Sequence, residues 1–376
     1  MYELALYYYI IYAFMIIGVS FYSIRLFTTK NYLVNTSTAT PVVLFIIILI
    51  LIIVSATGDY WSYRLWYDTG RENLHFEPIW NTIRSIIPWG FNIFRLILWG
   101  GGLILFTIMC KWNKTDLILS YSLFILFYTF YYCYARATVA YMLLLFAYYL
   151  VVRLKENHYR RWPLSLLLAI LCVWIGLQMH RSMLILLMIL AFSLFVKPRK
   201  QTFIVLLLLF PIISLIFNTI LYPYFMFSVV DEEQTILMDR YLRDKRGFNE
   251  FIKHLFRHLP ILLLFFVSLI NILKKKSVSP TVKKIAFCAF NIVYFSFLFY
   301  TIKAGNGLTL FYRTMNMAYP FMIMSIAYSL KCINNMYYLT LLTVTFKVLL
   351  TFLEIYQALI NPDYLYNQVL ERYYLG

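Results

Sequence analysis

The sequence predicts an all-α fold, a polytopic transmembrane helical bundle of about twelve spans, both of whose termini lie on the extracytoplasmic side. Three observations carry the prediction. Hydrophobic residues make up 62% of the 376-residue chain and charged ones 13%, about half the charge density of a soluble domain. Apolar runs recur from one end to the other, with a mean hydropathy of +0.75. Most charged residues fall between those runs, and the loops alternate between strongly basic and nearly balanced.

A hydrocarbon core of ~30 Å takes about 20 apolar residues per helix. The expected spans are 4–26, 41–57, 91–110, 116–133, 137–153, 162–179, 182–196, 202–222, 255–273, 285–302, 314–330 and 337–360. The first reads as a true span, because no basic segment or small-residue cleavage site accompanies it. The run 116–153 is too long for one helix and breaks at Arg136; the run 162–196 breaks in the same way at His180-Arg181. A guanidinium at mid-membrane is costly, so both breaks are expected to be tight turns at one surface. Nothing divides the runs into separate domains, so residues 1–376 read as one transmembrane domain with long extracytoplasmic loops at 58–90 and 223–254.

The formal net charge of +17 does not point to nucleic acid, because the basic residues are dispersed among apolar runs rather than gathered on a soluble face. It follows the positive-inside rule instead. One set of alternating loops, with its helix margins, carries 17 basic residues, among them Arg25, Lys111, Arg153, Lys200, Lys284 and Lys331, against only Asp116 and Glu156. The other set is nearly balanced, with 15 basic and 13 acidic residues. The first set is therefore expected in the cytoplasm. Its loops are short, with no Gly-rich phosphate loop and no carboxylate cluster, which argues against an ATPase or a nucleotide-sugar enzyme. The five cysteines stand singly, without a CxxC, and read as small core residues.

Chemistry-bearing residues gather on the opposite side. The loop 58–90 holds Asp59, Arg64, Asp68, Glu77 and Arg84 among many aromatics. Within it, residues 76–87 are predicted helical: Phe76, Trp80, Ile83 and Ile87 form an apolar stripe, and Pro78 suits a first helical turn. Arg136, His180 and Arg181 stand at the two hairpin tips, and Arg313 opens a helix after the Gly305-Asn306-Gly307 turn. Residues 248–259 read as an amphipathic surface helix: Phe248, Phe251, Ile252, Leu255, Phe256 and Leu259 share one face, with Lys253, His254, Arg257 and His258 across from it. Such a helix suits anionic lipid or a phosphate-bearing head group. Lys347 and Glu354, seven residues apart, share a face of the last span.

Several segments together resemble the EpsG-like branch of the Wzy-type polysaccharide polymerases. They are Gly58-Asp59-Tyr60-Trp61-Ser62-Tyr63, Phe76-Glu77-Pro78-Ile79-Trp80, Ala135-Arg136-Ala137-Thr138, Met179-His180-Arg181-Ser182 and Tyr312-Arg313, in that order along most of the chain. The family often has Gln after the hairpin Arg, where this chain has Ala137. The resemblance implies a GT-C-like membrane glycosyltransferase of the bacterial inner membrane. Its substrates would be two undecaprenyl-pyrophosphate-linked oligosaccharides, with a chain-length regulator protein as a further partner. It implies no cofactor and no nucleic acid. No metal is implied either, since the outer side has no HExxH or DxD-type pair.

On this reading Asp59, His180 and Glu77 are candidates for the base that activates the acceptor hydroxyl. Arg136, Arg181 and Arg313 are candidates to neutralise the leaving pyrophosphate, since a guanidinium binds phosphate oxygens bidentately. Trp61, Tyr63 and Arg64 are expected to bind substrate, the rings by stacking on sugars. An O-antigen ligase on the same scaffold and a flippase for lipid-linked sugars are the alternatives. Scarce glycine, 12 in the chain, and polar groups gathered at one face disfavour transport.

Overall fold

In a computed structural model of the chain, the residues described are 2–28, 39–54, 60–70, 77–134, 137–156, 162–180, 182–216, 219, 248–300, 307–332 and 337–360. Among them lie fifteen helices and no strand. In chain order they are α1 (Tyr2–Thr28), α2 (Thr40–Val54), α3 (Tyr60–Thr69), α4 (Pro78–Ile86), α5 (Phe91–Trp112), α6 (Leu117–Phe127), α7 (Thr129–Tyr134) and α8 (Ala137–Glu156). These are followed by α9 (Trp162–Met179), α10 (Met183–Phe195), α11 (Lys200–Ile216), α12 (Phe248–Lys274), α13 (Pro280–Tyr300), α14 (Gly307–Cys332) and α15 (Tyr337–Ile360). Four of these helices contain a stretch long and apolar enough to cross a membrane: Phe91–Trp112, Ala137–Leu154, Leu255–Lys274 and Pro280–Tyr300. Shorter apolar helices accompany them, from Ala13–Arg25 to Leu339–Leu353.

Local chemistry sets several helix ends. Asp116 is the N-cap of α6, where its carboxylate accepts from the Leu119 amide at 2.9 Å. Pro78 occupies the first turn of α4, where a missing N–H costs nothing. The expected span 116–133 is interrupted at Tyr128, which divides it into α6 and α7. The loop 58–90, expected to hold one helix, holds two.

The chain forms two compact units, one of residues 1–185 with 326–376 and one of residues 186–325. In the first unit α6 is enclosed on every side, with Ile118 through Phe127 all buried. Apolar residues all round the helix are what such a position demands, and Ser120 Oγ donates to the Asp116 carbonyl of the preceding turn. α8 and α9 run antiparallel, and Gly176 makes their close approach possible: a Cβ there would lie 2.2 Å from Leu144 Cδ1 and 3.1 Å from the Ala140 carbonyl oxygen. α5 runs antiparallel to α2, with Arg95 reaching Ile53 and Gly100 opposite Leu49. It runs parallel to α8, where the Arg153 guanidinium lies 4.5 Å from the Trp112 ring.

The outer surfaces of several helices are hydrocarbon. On α9, Leu164, Leu167, Leu171 and Trp174 are exposed at three- and four-residue steps, and Leu342, Phe346, Leu349, Leu353 and Tyr356 repeat the pattern on α15. Stripes of this extent are rare on a water-facing monomer and suit a surface against lipid.

The second unit packs around aromatic contacts. The Phe203 and Phe290 rings lie 4.8 Å apart, and those of Phe210 and Tyr294 5.3 Å apart. Lys284 on α13 donates to the carbonyls of Ser193, Leu194 and Val196 at 3.1, 2.9 and 2.7 Å, closing the C-terminus of α10. On α12 two residues depart from the expected faces: His258 is fully buried and bonds the Tyr319 hydroxyl at 2.5 Å, while Phe256 is 51% exposed. In a hydrocarbon solvent the ring belongs outside, and the imidazole needs a partner inside.

Candidate functional site

One end of the first unit collects most of the chemistry-bearing positions. The C-terminal turn of α2, the start of α5, the start of α8 and the end of α9 lie at that end, as the antiparallel and parallel pairings above require. The helices α3 and α4 are attached to it.

α3 and α4 are locked together by four side chains. Trp66 Nε1 donates to Asn81 Oδ1 at 3.1 Å, and the Tyr67 hydroxyl donates to the Ile87 carbonyl at 2.5 Å. The Gly90 amide in turn donates to that hydroxyl at 3.1 Å. Arg84 Nε donates to the Tyr67 carbonyl at 2.7 Å, and its guanidinium lies over Gly70. Gly70 has φ +65°, and a Cβ there would approach Arg84 Nη1 to 2.7 Å, so both the backbone and the close approach call for glycine. Below this pair, Trp66, Tyr67, Trp80 and Phe91 surround Phe94, with ring centroids 5.1 to 6.3 Å from it.

Trp80 ties α4 to the end of α9. It is 1% exposed, and its Nε1 donates to the Met179 carbonyl at 2.8 Å. Glu77 is the N-cap of α4, one turn before Trp80, with extended backbone (φ −63°, ψ 142°). Its side chain makes no capping bond, and its Oε2 is shielded from solvent. His180 follows Met179 directly. A single tryptophan bond therefore ties the helix capped by Glu77 to the residue preceding His180.

The geometry of His180 specifies its tautomer. The Ser182 amide donates to His180 Nδ1 at 3.2 Å, and the Ser182 Oγ lies 2.7 Å from the same nitrogen. An N–H cannot donate to another N–H, so Nδ1 carries the lone pair and the neutral ring bears its proton on Nε2. His180 thus offers a donor at Nε2.

Of the other expected site residues, Asp59, Arg136 and Arg181 lie outside the described residues. The residues that bracket them, Tyr60, Ala137, His180 and Ser182, belong to the first unit. Arg64 and Tyr63 stand on α3, where Arg64 Nε lies 3.5 Å from Asp68 Oδ2 in a surface pair of the i,i+4 kind. Tyr63 is half-buried, and the Trp61 side chain lies outside the description. Arg313 is exposed on α14, in the second unit.

One residue here escaped the sequence reading. Arg95, in the first turns of α5, is 2% exposed. Its guanidinium lies 5.9 Å from both the Phe91 and Trp99 rings, and its Nη1 is 3.4 Å from the Ile53 carbonyl oxygen at the end of α2. The signal was a charge inside an otherwise apolar run. Among the described residues no group of three or more His, Cys, Asp or Glu is placed to hold a metal ion. Compared with known protein families, curated protein sequences and solved structures, the chain matches none.

Proposed function

We propose that this chain is a membrane glycosyltransferase that joins undecaprenyl-pyrophosphate-linked oligosaccharides into a long polysaccharide, working on the extracytoplasmic face of a bacterial inner membrane. The reading includes a GT-C-like bundle of twelve spans with both termini outside. The observation that carries it is the Trp80–Met179 bond, which ties the helix that Glu77 caps to the residue just before His180, at one end of an apolar bundle.

The transfer makes one bond and breaks one. An acceptor hydroxyl oxygen attacks the anomeric carbon of the donor glycan, and the bond from that carbon to pyrophosphate breaks. The hydroxyl proton goes to a carboxylate, Glu77 or Asp59. The electron pair leaves on pyrophosphate, where negative charge accumulates and fixed donors stabilise it. His180, with its proton on Nε2, suits the donor role better than the base role first expected of it. Arg136, Arg181 and Arg313 remain the candidates for neutralising that charge.

The test is chain synthesis by purified protein given lipid-linked repeat units, resolved as a ladder on a gel. Glu77→Gln and His180→Ala are each expected to abolish long chains while the protein stays folded in the membrane. A ladder of normal length from both variants would remove this end of the bundle from the reaction.

A further inference from the structure

Two turns of the second unit carry a dense basic charge. The turn from α10 into α11 holds Lys197, Arg199 and Lys200, and the turn from α12 into α13 holds Lys274, Lys275 and Lys276. All six side chains are exposed. No Asp or Glu occurs in 186–216 or 260–300, the segments that lead into and out of these turns.

The turns are held side by side. Lys284, near the start of α13, donates to the Ser193, Leu194 and Val196 carbonyls, so its ammonium stands one residue from Lys197. Asn291, seven residues further along α13, donates from Nδ2 to Ser193 Oγ at 2.9 Å. The Phe203 ring, in the first turn of α11, lies 4.8 Å from that of Phe290 on α13 and 6.5 Å from that of Phe266 on α12. The end of α10, the start of α11, the end of α12 and the start of α13 therefore meet at one end of this unit. Like charges gathered there repel one another and attract an anion. The turns are also stepped. From the level where Phe203 meets Phe266, Lys200 is three residues away and Lys274 eight, a difference of about 7–8 Å at 1.5 Å per residue.

The anion that fits is an amphiphile. Next to the basic turns the helix surfaces are hydrocarbon: Phe192 and Phe195 on α10 and Ile204, Val205 and Leu208 on α11 are exposed, Phe195 by 85%. An acidic peptide or a nucleic acid would meet the cations and leave these side chains uncovered, whereas a phospholipid covers both. We propose that the paired turns hold the head group of a diphosphatidylglycerol, a lipid with two bridged phosphates. One phosphate meets Lys197, Arg199 and Lys200, the other meets Lys274, Lys275 and Lys276, and the acyl chains lie along α10 and α11. The proposal does not depend on the glycosyltransferase reading.

The full chain, purified in detergent and stripped of lipid, is titrated with diphosphatidylglycerol, phosphatidylglycerol or phosphatidylcholine, and bound lipid is counted by native mass spectrometry. Wild type is expected to hold one diphosphatidylglycerol about tenfold more tightly than phosphatidylglycerol, with phosphatidylcholine weakest. Lys197→Gln/Arg199→Gln/Lys200→Gln and Lys274→Gln/Lys276→Gln are each expected to lower that affinity to the level of phosphatidylglycerol, with the melting temperature unchanged. Lys111→Gln/Lys114→Gln removes two exposed charges from the first unit instead, and should leave binding intact. Equal wild-type affinity for the one-phosphate and two-phosphate lipids, a result that needs no variant, would overturn the proposal. So would an equal loss from Lys111→Gln/Lys114→Gln, which would reduce the effect to net charge. Displacement of the lipid by an equal concentration of an acidic peptide, an oligonucleotide or undecaprenyl pyrophosphate would overturn it as well.

Discussion

Ser182 shows how much a single residue can decide. It contributes both an amide and a hydroxyl to His180 Nδ1, and so assigns the imidazole the role of donor. Replacing it with Ala removes the hydroxyl and keeps the amide. The tautomer should survive, but the ring loses one of two restraints. We expect Ser182→Ala to lower the turnover rate about tenfold, the equivalent of one neutral hydrogen bond, with KM little changed; Ser182→Thr should restore it. Nitrogen NMR of histidine-labelled protein should show His180 with Nε2 protonated in all three forms. A wild-type signal from the opposite tautomer would remove the donor assignment. None of this was legible from the motif Met179-His180-Arg181-Ser182, which gives spacing but not the direction of a hydrogen bond.

At the scale of elements, legibility followed periodicity. α4 was foreseen because Trp80, Ile83 and Ile87 repeat at helical steps beside Pro78. Its partner α3 was not, because Tyr60–Thr69 mixes aromatic and polar residues on all sides, with Trp66 and Tyr67 as its buried anchors. On α12 one position departs for a different reason: His258 was read on the outward basic side, but an imidazole on a helix against lipid is better placed inside, where Tyr319 partners it. Two element-level joints are open to measurement. Gly70→Ala must place a Cβ at φ +65° against the Arg84 guanidinium, at a cost of about 1–2 kcal/mol for the left-handed backbone alone; the loss should appear as a lower melting temperature and easier proteolysis between α3 and α4. Lys284→Met takes the ammonium from the three carbonyls that end α10. Hydrogen bonds to a charged group contribute about 1.5–3 kcal/mol, so the variant should melt earlier, while Lys284→Arg retains part of the stability.

Across the whole molecule, lipid acts as the second solvent, and this explains both the exposed leucines and the distribution of charge. The stripes on α9 and α15 would be a severe liability in water. In a bilayer they cost nothing, and the burial that stabilises the bundle comes from enclosed helices such as α6 and from tight joints such as Gly176 against α8. The basic residues then become a record of orientation. The last turn of α5 carries Lys111 and the turn after it Lys114, and Arg153 stacks on Trp112 at the same end of the unit, whereas Glu77 and His180 lie at the other. If the positive-inside rule governs this chain, the α5–α6 turn is cytoplasmic and the Glu77 end is not. Reporter fusions decide it: alkaline phosphatase joined after Trp89 should be active, and joined after Lys114 inactive, with a fluorescent protein giving the reverse pattern. A third fusion at residue 376 should be active if the proposed twelve spans, with both termini outside, hold. The opposite result at Trp89 would place the Glu77 and His180 neighbourhood in the cytoplasm, where a donor on the outer leaflet cannot reach it, and the glycosyl-transfer proposal would fail on topology alone.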